Sequence, residues 1–378
     1  MAQGLSPGGR EVELFNEFFF RPLRARAGVP DDFLSSWSID GLAAGGGKGG
    51  ALMARLDDFI VKELSKGDHQ TLLRITEGFC EHLRSGKSLL SPIFLHFRDK
   101  TTKRTFFAMR NCVGQGPFKA LYDLKGCADD KMLEKDGQSI PAVHKRIWNV
   151  SMWSSCCWSS ARRRYHSGKV EARKVQVPIT SSQKDSFLEA LRRDVSWLAG
   201  ERLMDYSLLV AIKDVKPEST KGLPCGQPYI YQTPDGPVAV HMSIIDFLQR
   251  WTMGKRVARV VKVLEKSKAT IPPRAYAARF AVHFTQHIVA VEDKASTDLN
   301  IKGLMALSPK GPEEPLPDFH LEKAEESFHP VPVETVQRLE EPPMSPKNED
   351  NRAMEMNNIE GPERGGACCG AGWFKVCV

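Results

Sequence analysis

The stretch RLMDYSLLVAI, residues 202–212, constrains the fold of this chain more than any other. It is far shorter than the roughly 18 apolar residues that a membrane span needs. Its β-branched and aliphatic content instead predicts a buried strand over residues 207–212. That places one carboxylate, Asp205, at the mouth of the strand. A charge there costs free energy unless it is paired or used. A second stretch, VAVHMSIID, repeats the pattern and ends at Asp246.

An aspartate beside a strand is most often a turn or cap residue. Two at strand ends can also divide the work of phosphoryl transfer. One accepts or orients an attacking hydroxyl, and the other holds Mg²⁺ against phosphates. Other residues fit that chemistry. AAGGGKGG, residues 43–50, contains Gly45, Gly46 and Gly47, whose backbone amides can approach phosphate oxygens closely. A glycine run alone is more often a linker. Lys62, on the strand-like segment LDDFIVKEL (56–64) just beyond, is where a lysine must lie to reach nucleotide phosphates. LYDLKGC, residues 121–127, adds Asp123 and Lys125, read either as a turn with an exposed ion pair or as a second phosphate-facing lysine.

The surrounding pattern is α+β. HQTLLRITEGFCEHL (69–83) has helical spacing, and SPIFLHF and RTFFAMRNCV read as strands. SSQKDSFLEALRRDVSWLAG is the best-signposted helix, with Ser182 as predicted cap, Asp185 three residues on, and Gly200 as predicted stop. Strands early and helices later suggest two lobes with a cleft between them. From about residue 305 the composition turns to Pro, Glu and Asn, and 305–378 is expected to be a disordered tail, as are residues 1–10.

The 378 residues carry a net charge of +7, which favours an anionic partner. Part of that charge lies in KRVARVVKVLEKSK, residues 255–268, with valines on one helical stripe and Lys255, Arg259 and Lys262 on another. Such a helix suits either an anionic membrane interface or a core-packed surface position. Nothing pairs basic residues with interleaved aromatics on a nucleic-acid motif, so no nucleic-acid partner is expected. The N-terminus shows no signal-peptide pattern. The 9 cysteines, an odd number, lack zinc-ligand spacing and imply free thiols in a reducing, cytoplasmic setting. Cys368 and Cys369, on a Gly-rich stretch near Trp373 and Phe374, are candidates for palmitoylation.

YDLKGC, LMDYSLLVAI and SIIDFLQ together resemble motifs of the phosphatidylinositol phosphate kinases. FNEFFFRPLRARAGVPDDFLSSWS is similar to that family's opening segment, and PPRAYAARFAVHF to its closing helix, so the resemblance spans about residues 11–290. It implies a two-lobed lipid-kinase fold related to protein kinases, with an N-lobe over 11–120, a C-lobe over 121–300 and a specificity loop at about 247–270. It further implies ATP and Mg²⁺ as cofactors, with Gly45, Gly46, Gly47, Lys62 and Lys125 serving the nucleotide. Asp205 would be the catalytic aspartate, Lys125 its neighbour in the catalytic and phosphate site, and Asp246 the metal-binding aspartate. Lys255, Arg256, Ala258, Arg259 and Lys262 would meet a phosphatidylinositol monophosphate in an anionic membrane. The implied protein is cytoplasmic and peripheral on the cytosolic face of membranes, with a homodimer compatible.

The departures are specific. Gln70, with Asp68 two residues earlier, stands where relatives carry a glutamate to pair with the lysine. A glutamine can hydrogen-bond Lys62 but cannot neutralise it. Cys127 replaces the serine after DLKG, the expected basic residue is Lys131, and residues 132–170 match nothing in the family pattern. Ala258 resembles the type II pattern of a 4-kinase acting on phosphatidylinositol 5-phosphate, and a 5-kinase acting on the 4-phosphate stands beside it. A catalytically weak scaffold that binds phosphoinositide membranes is the alternative function.

Overall fold

A computed structural model describes residues 6–44, 52–143, 158–214, 229–233, 236–251 and 271–291. Gly45, Gly46, Gly47, Lys255, Arg256, Ala258, Arg259, Lys262, the tail, Cys368 and Cys369 lie outside the described residues. Among the described residues no helix is long and apolar enough to cross a membrane. Among the described residues Cys80, Cys112 and Cys127 form no disulfide.

Two six-stranded sheets carry the architecture. The first uses β1 (Val12–Leu14), β2 (Ala43–Ala44), β3 (Leu52–Arg55), β4 (Phe59–Glu63), β5 (Ile93–Asp99) and β6 (Thr105–Arg110), in the order β1-β5-β6-β4-β3-β2. The second uses β7 (Ala120–Leu124), β8 (Lys131–Lys135), β9 (Gln138–Ser139), β11 (Ser207–Asp214), β12 (Tyr229–Thr233) and β13 (Gly236–Ile245), in the order β12-β13-β11-β7-β8-β9. In a separate two-stranded sheet, β10 (Val177–Thr180) pairs in parallel with β14 (Ile288–Val291). The helices are α1 (Glu17–Arg26), α2 (Lys66–Arg84), α3 (Ser160–Lys174), α4 (Ser181–Gly200) and α5 (Pro273–His287).

Local chemistry explains the helix bounds. Ser65 caps α2 by accepting from the Asp68 amide, and Leu72, Ile75 and Phe79 form its buried face. The predicted cap of α4 is corrected: Thr180 is the cap, and it forms a reciprocal capping box with Gln183. Thr180 wins because it closes both orphan amides at once, which Ser182 and Asp185 do not. Gly200 is also not a left-handed stop. It stays in the helix, and Arg202 takes the positive φ of 58°. The Arg202 carbonyl accepts from Trp251 N–H at 3.0 Å, which holds that conformation.

One buried carboxylate ties the parts together. Asp194 of α4 is fully buried and meets His82 of α2 at 2.6 Å, Ser88 at 2.9 Å and the Leu89 amide at 2.6 Å. Leu89 then offers its carbonyl to Ile244 of β13 at 2.6 Å, and Ser91 N–H returns to Ile244 at 2.9 Å. The connection from α2 into the first sheet is therefore stitched to a strand of the second. Removing one member of such a buried network leaves the rest unpaired, at a cost of about 3–5 kcal/mol. Asp194→Ala should lower the urea unfolding free energy by about that amount; an unchanged midpoint and slope would show the network to be idle.

Candidate active site

The register of the second sheet assembles the site. β11 pairs antiparallel with β7 and with β13, so Leu208 lies between Leu124 and Ile244, and Ser207 faces Ile245. The residue just after β7 is Lys125, Asp205 lies just before β11, and Asp246 follows β13. All three therefore emerge at one end of the sheet. Asp205 and Asp246 both leave it in the left-handed region, at φ 64° and 57°. Non-glycine residues hold that conformation mainly where the surroundings impose it. For Asp205 those surroundings include the Lys125 ammonium, which donates to the Asp205 carbonyl at 2.9 Å. The Tyr276 hydroxyl donates to the next carbonyl, that of Tyr206.

Three lysine–aspartate pairs fill this end. Lys125 Nζ meets Asp205 Oδ1 at 2.5 Å. Lys62, brought from β4 of the other sheet, meets Asp246 Oδ1 at 2.6 Å. Lys131 of β8 meets Asp123 Oδ2 at 2.8 Å. Burial alone would lower the Lys131 pKa, but Asp123 overrides it and lifts the ammonium above its ordinary value, with smaller pushes from Tyr165 and Asp246. The other oxygen of Asp123 is buried with no hydrogen-bond partner among the described residues. Three ammonium groups and three carboxylates thus balance, and the side chains of the Lys62 and Asp246 pair are partly open to solvent at 29% and 45%.

Sequence reasoning named Lys62, Lys125, Asp205 and Asp246, and the structure brings all four together. It does not bring Gln70 to Lys62: Gln70 is exposed on α2, and Asp68 is spent on the helix cap with Ser65. Lys62 turns to Asp246 instead. The sequence reading missed Asp130. Its Oδ1 accepts from the Lys125 amide at 2.5 Å and the Cys127 amide at 3.3 Å, so it shapes the loop that carries Lys125. Gly126 completes that loop at φ 67°, where an added Cβ would sit 3.0 Å from His283 of α5. Both glycine requirements, conformation and closeness, hold at this position. Burial pushes the Cys127 thiol up, so it is a poor nucleophile. Nothing in the run ADDK, residues 128–131, marks Asp130 apart from its acidic neighbour Asp129.

A divalent ion fits this donor set in one way. Among the described residues no group of three or more His, Cys, Asp or Glu side chains is arranged to hold a metal. Mg²⁺ in phosphoryl-transfer sites is commonly bound by one or two carboxylates plus phosphates and water. Asp246, half-exposed beside Lys62, supplies such a carboxylate.

The family model "Phosphatidylinositol-4-phosphate 5-Kinase" matches residues 44–227 and 224–288, well over half of the chain. A 1-phosphatidylinositol-3-phosphate 5-kinase of Arabidopsis thaliana is 24% identical over 277 residues, covering 67% of this chain and 13% of the relative. A phosphatidylinositol 5-phosphate 4-kinase type-2 gamma of Danio rerio is 27% identical over 206 residues, covering 52% of this chain and 44% of the relative. A type-2 alpha 5-phosphate 4-kinase of Rattus norvegicus is 28% identical over 163 residues, covering 30% and 40%. The chain thus spans less than half the length of each of these relatives. With three of its motif residues at one sheet end and its matched span covering the second sheet and most of the first, the chain belongs to the phosphatidylinositol phosphate kinase family.

Proposed function

We propose that this protein transfers the γ-phosphoryl group of ATP to a phosphatidylinositol monophosphate at an anionic membrane surface. The observation that carries the reading is the convergence of Lys125–Asp205 and Lys62–Asp246 from two sheets. Each pair is a ligand site in waiting. Lys62 would exchange Asp246 for nucleotide phosphate oxygens, and the freed Asp246 carboxylate would hold a divalent ion. Mg²⁺, when bound, would supply charge neutralisation to the phosphates.

Asp205 orients the inositol hydroxyl and takes its proton as the hydroxyl oxygen bonds to the γ-phosphorus. The bond from phosphorus to the ADP oxygen breaks in the same displacement, and the products are ADP and a phosphatidylinositol bisphosphate. Lys125, bound to both the side chain and carbonyl of Asp205, keeps that carboxylate aimed and lends positive charge to the transferring group. The relatives are named for phosphorylation at both the 4- and the 5-position, so the product isomer decides the position.

Radiolabelled ATP with each phosphatidylinositol monophosphate in mixed vesicles tests the reading. Asp205→Asn and Asp246→Asn should each lower turnover by about a hundredfold or more with the fold intact. Near-normal phosphorylation by either variant contradicts its role. Lys62→Met should chiefly raise the KM for ATP. A wild-type protein that binds these vesicles but turns over no ATP is the scaffold instead.

Membrane engagement is assigned to the basic stretch from 255 to 268. Replacing Lys255, Arg256, Arg259 and Lys262 with Ala should abolish salt-sensitive sedimentation with acidic vesicles, since each such residue contributes about 1 kcal/mol. Undiminished sedimentation returns the stretch to a structural role.

A further inference from the structure

Asp130 and His283 present a pattern that the proposed chemistry leaves unused. The Asp130 side chain is 1% exposed. Its Oδ1 takes the amides of Lys125 and Cys127, while its Oδ2 is buried without a hydrogen-bond partner among the described residues. His283 Nε2 of α5 lies 3.8 Å from it and is likewise without a hydrogen-bond partner among the described residues. The imidazole also abuts Gly126, which tolerates it only because it lacks a Cβ. Two orphaned atoms thus face each other just beyond hydrogen-bond distance, in the manner of a latch.

We propose that Asp130, backed by His283, is the positioning residue that fixes Lys125 against Asp205. The seat of α5 therefore sets the place of the lysine. This rests on the reading of Lys125 and Asp205 as the phosphoryl-transfer pair. α5 begins just after the 247–270 segment assigned to lipid contact, and its Tyr276 also holds the Tyr206 carbonyl. One helix thus touches both loops of the site, and a lipid-driven shift of α5 reaches Lys125 through a single carboxylate.

The latch carries a pH signature. Burial pushes the Asp130 carboxyl up to about 6, against the lowering by the amides of Lys125, Cys127 and Gly126. Asp123 of β7 pushes in the same direction as burial. Lys169 of α3 and Cys127 of the loop also face it, and Arg279 of α5 acts on Cys127. Burial, then His287 and Arg279, hold His283 near 3, so the imidazole stays neutral and a step near pH 6 belongs to Asp130. Because the folded value lies above that of an unfolded aspartate, about 3.9, the contribution of Asp130 to stability is fully present below that pH. It is lost as pH rises through about 6. The ionised carboxylate, by contrast, grips backbone amides more strongly than the neutral acid does. The protein keeps a charge that costs stability at neutral pH because that charge tightens the loop.

Two measurements on the full chain test this. The first needs no turnover: amide-exchange protection at Lys125–Cys127 should fall as pH drops through about 6 in the wild type. It should vary little with pH in Asp130→Asn, and step at lower pH in His283→Ala, where water reaches Oδ2. The second is kinetic. Asp130→Ala should lower kcat about tenfold or more with little change in KM for ATP, as expected for a misplaced group. Asp130→Asn should recover most of that loss, since its amide oxygen still accepts, and should flatten the acid limb of the profile. It should also be at least as stable as wild type at pH 7.5. Protection and kcat that keep the wild-type pH dependence in both Asp130→Asn and His283→Ala overturn the proposal. If no lipid or ATP turnover is found in any form, the assigned function fails, and the exchange data alone still decide the latch.

Discussion

The antiparallel pairing of β11 with β7 on one side and β13 on the other is the constraint on which the site depends. Strand register is fixed to a single residue by which face is buried. Leu208, Val210 and Ile212 all lie in the main core, so a slip by one residue would move this set to the other face of the sheet, where Ala211 packs in a separate small cluster. The same register puts Lys125, Asp205 and Asp246 at one end of the sheet, separated by the spacing of neighbouring strands. Apolar packing, which has no interest in phosphate chemistry, thereby sets the geometry of the charged groups. The Asp194 network extends that rigidity to the first sheet, and through it Lys62 of β4 arrives opposite Asp246.

The charges at that end are self-neutralised, and this shapes what the site can do. A lone carboxylate at a strand mouth would be costly, and a lone ammonium likewise. Paired, they hold each other in place while remaining partly solvent-exposed, where the net worth of each pair is small. Small net worth is an asset here. Under the proposed function, a polyphosphate carrying a divalent ion would offer each member a stronger partner of opposite charge, so an exchange of Lys62 from Asp246 to phosphate would have little to overcome. Arg10 with Asp99 shows the contrasting case: a two-point bond to a fully buried carboxylate, which holds the Asp99 carboxyl well below the usual range.

Much of this was legible in residue order. Short apolar strands ended by an acid are visible as β11 and β13, and the helical spacing of α2 and α4 is plain. Lys62, Lys125, Asp205 and Asp246 stand out because they interrupt or end apolar runs or precede a glycine. What was not legible depends on long-range contacts. Gln70 is near Lys62 in sequence, yet the partner of Lys62 lies 184 residues away, because sheet register rather than helix position decides the pairing. Thr180 displaced Ser182 as a cap because β10 runs directly into α4 and leaves Thr180 in the extended conformation a cap requires. Asp130 carries no sequence pattern of its own; only the fold shows that it points inward at backbone amides.

The exchange of partners at Lys62 and Asp246 is the central claim, and calorimetric titration of ATP, with and without Mg²⁺, tests it without any turnover. The wild type should bind ATP more tightly when Mg²⁺ is present. Asp246→Asn frees Lys62 and removes the carboxylate for the metal, so it should bind Mg²⁺-free ATP at least as tightly as wild type and lose the Mg²⁺ enhancement. An Asp246→Asn protein that retains the full Mg²⁺ enhancement would place the metal elsewhere and contradict the account.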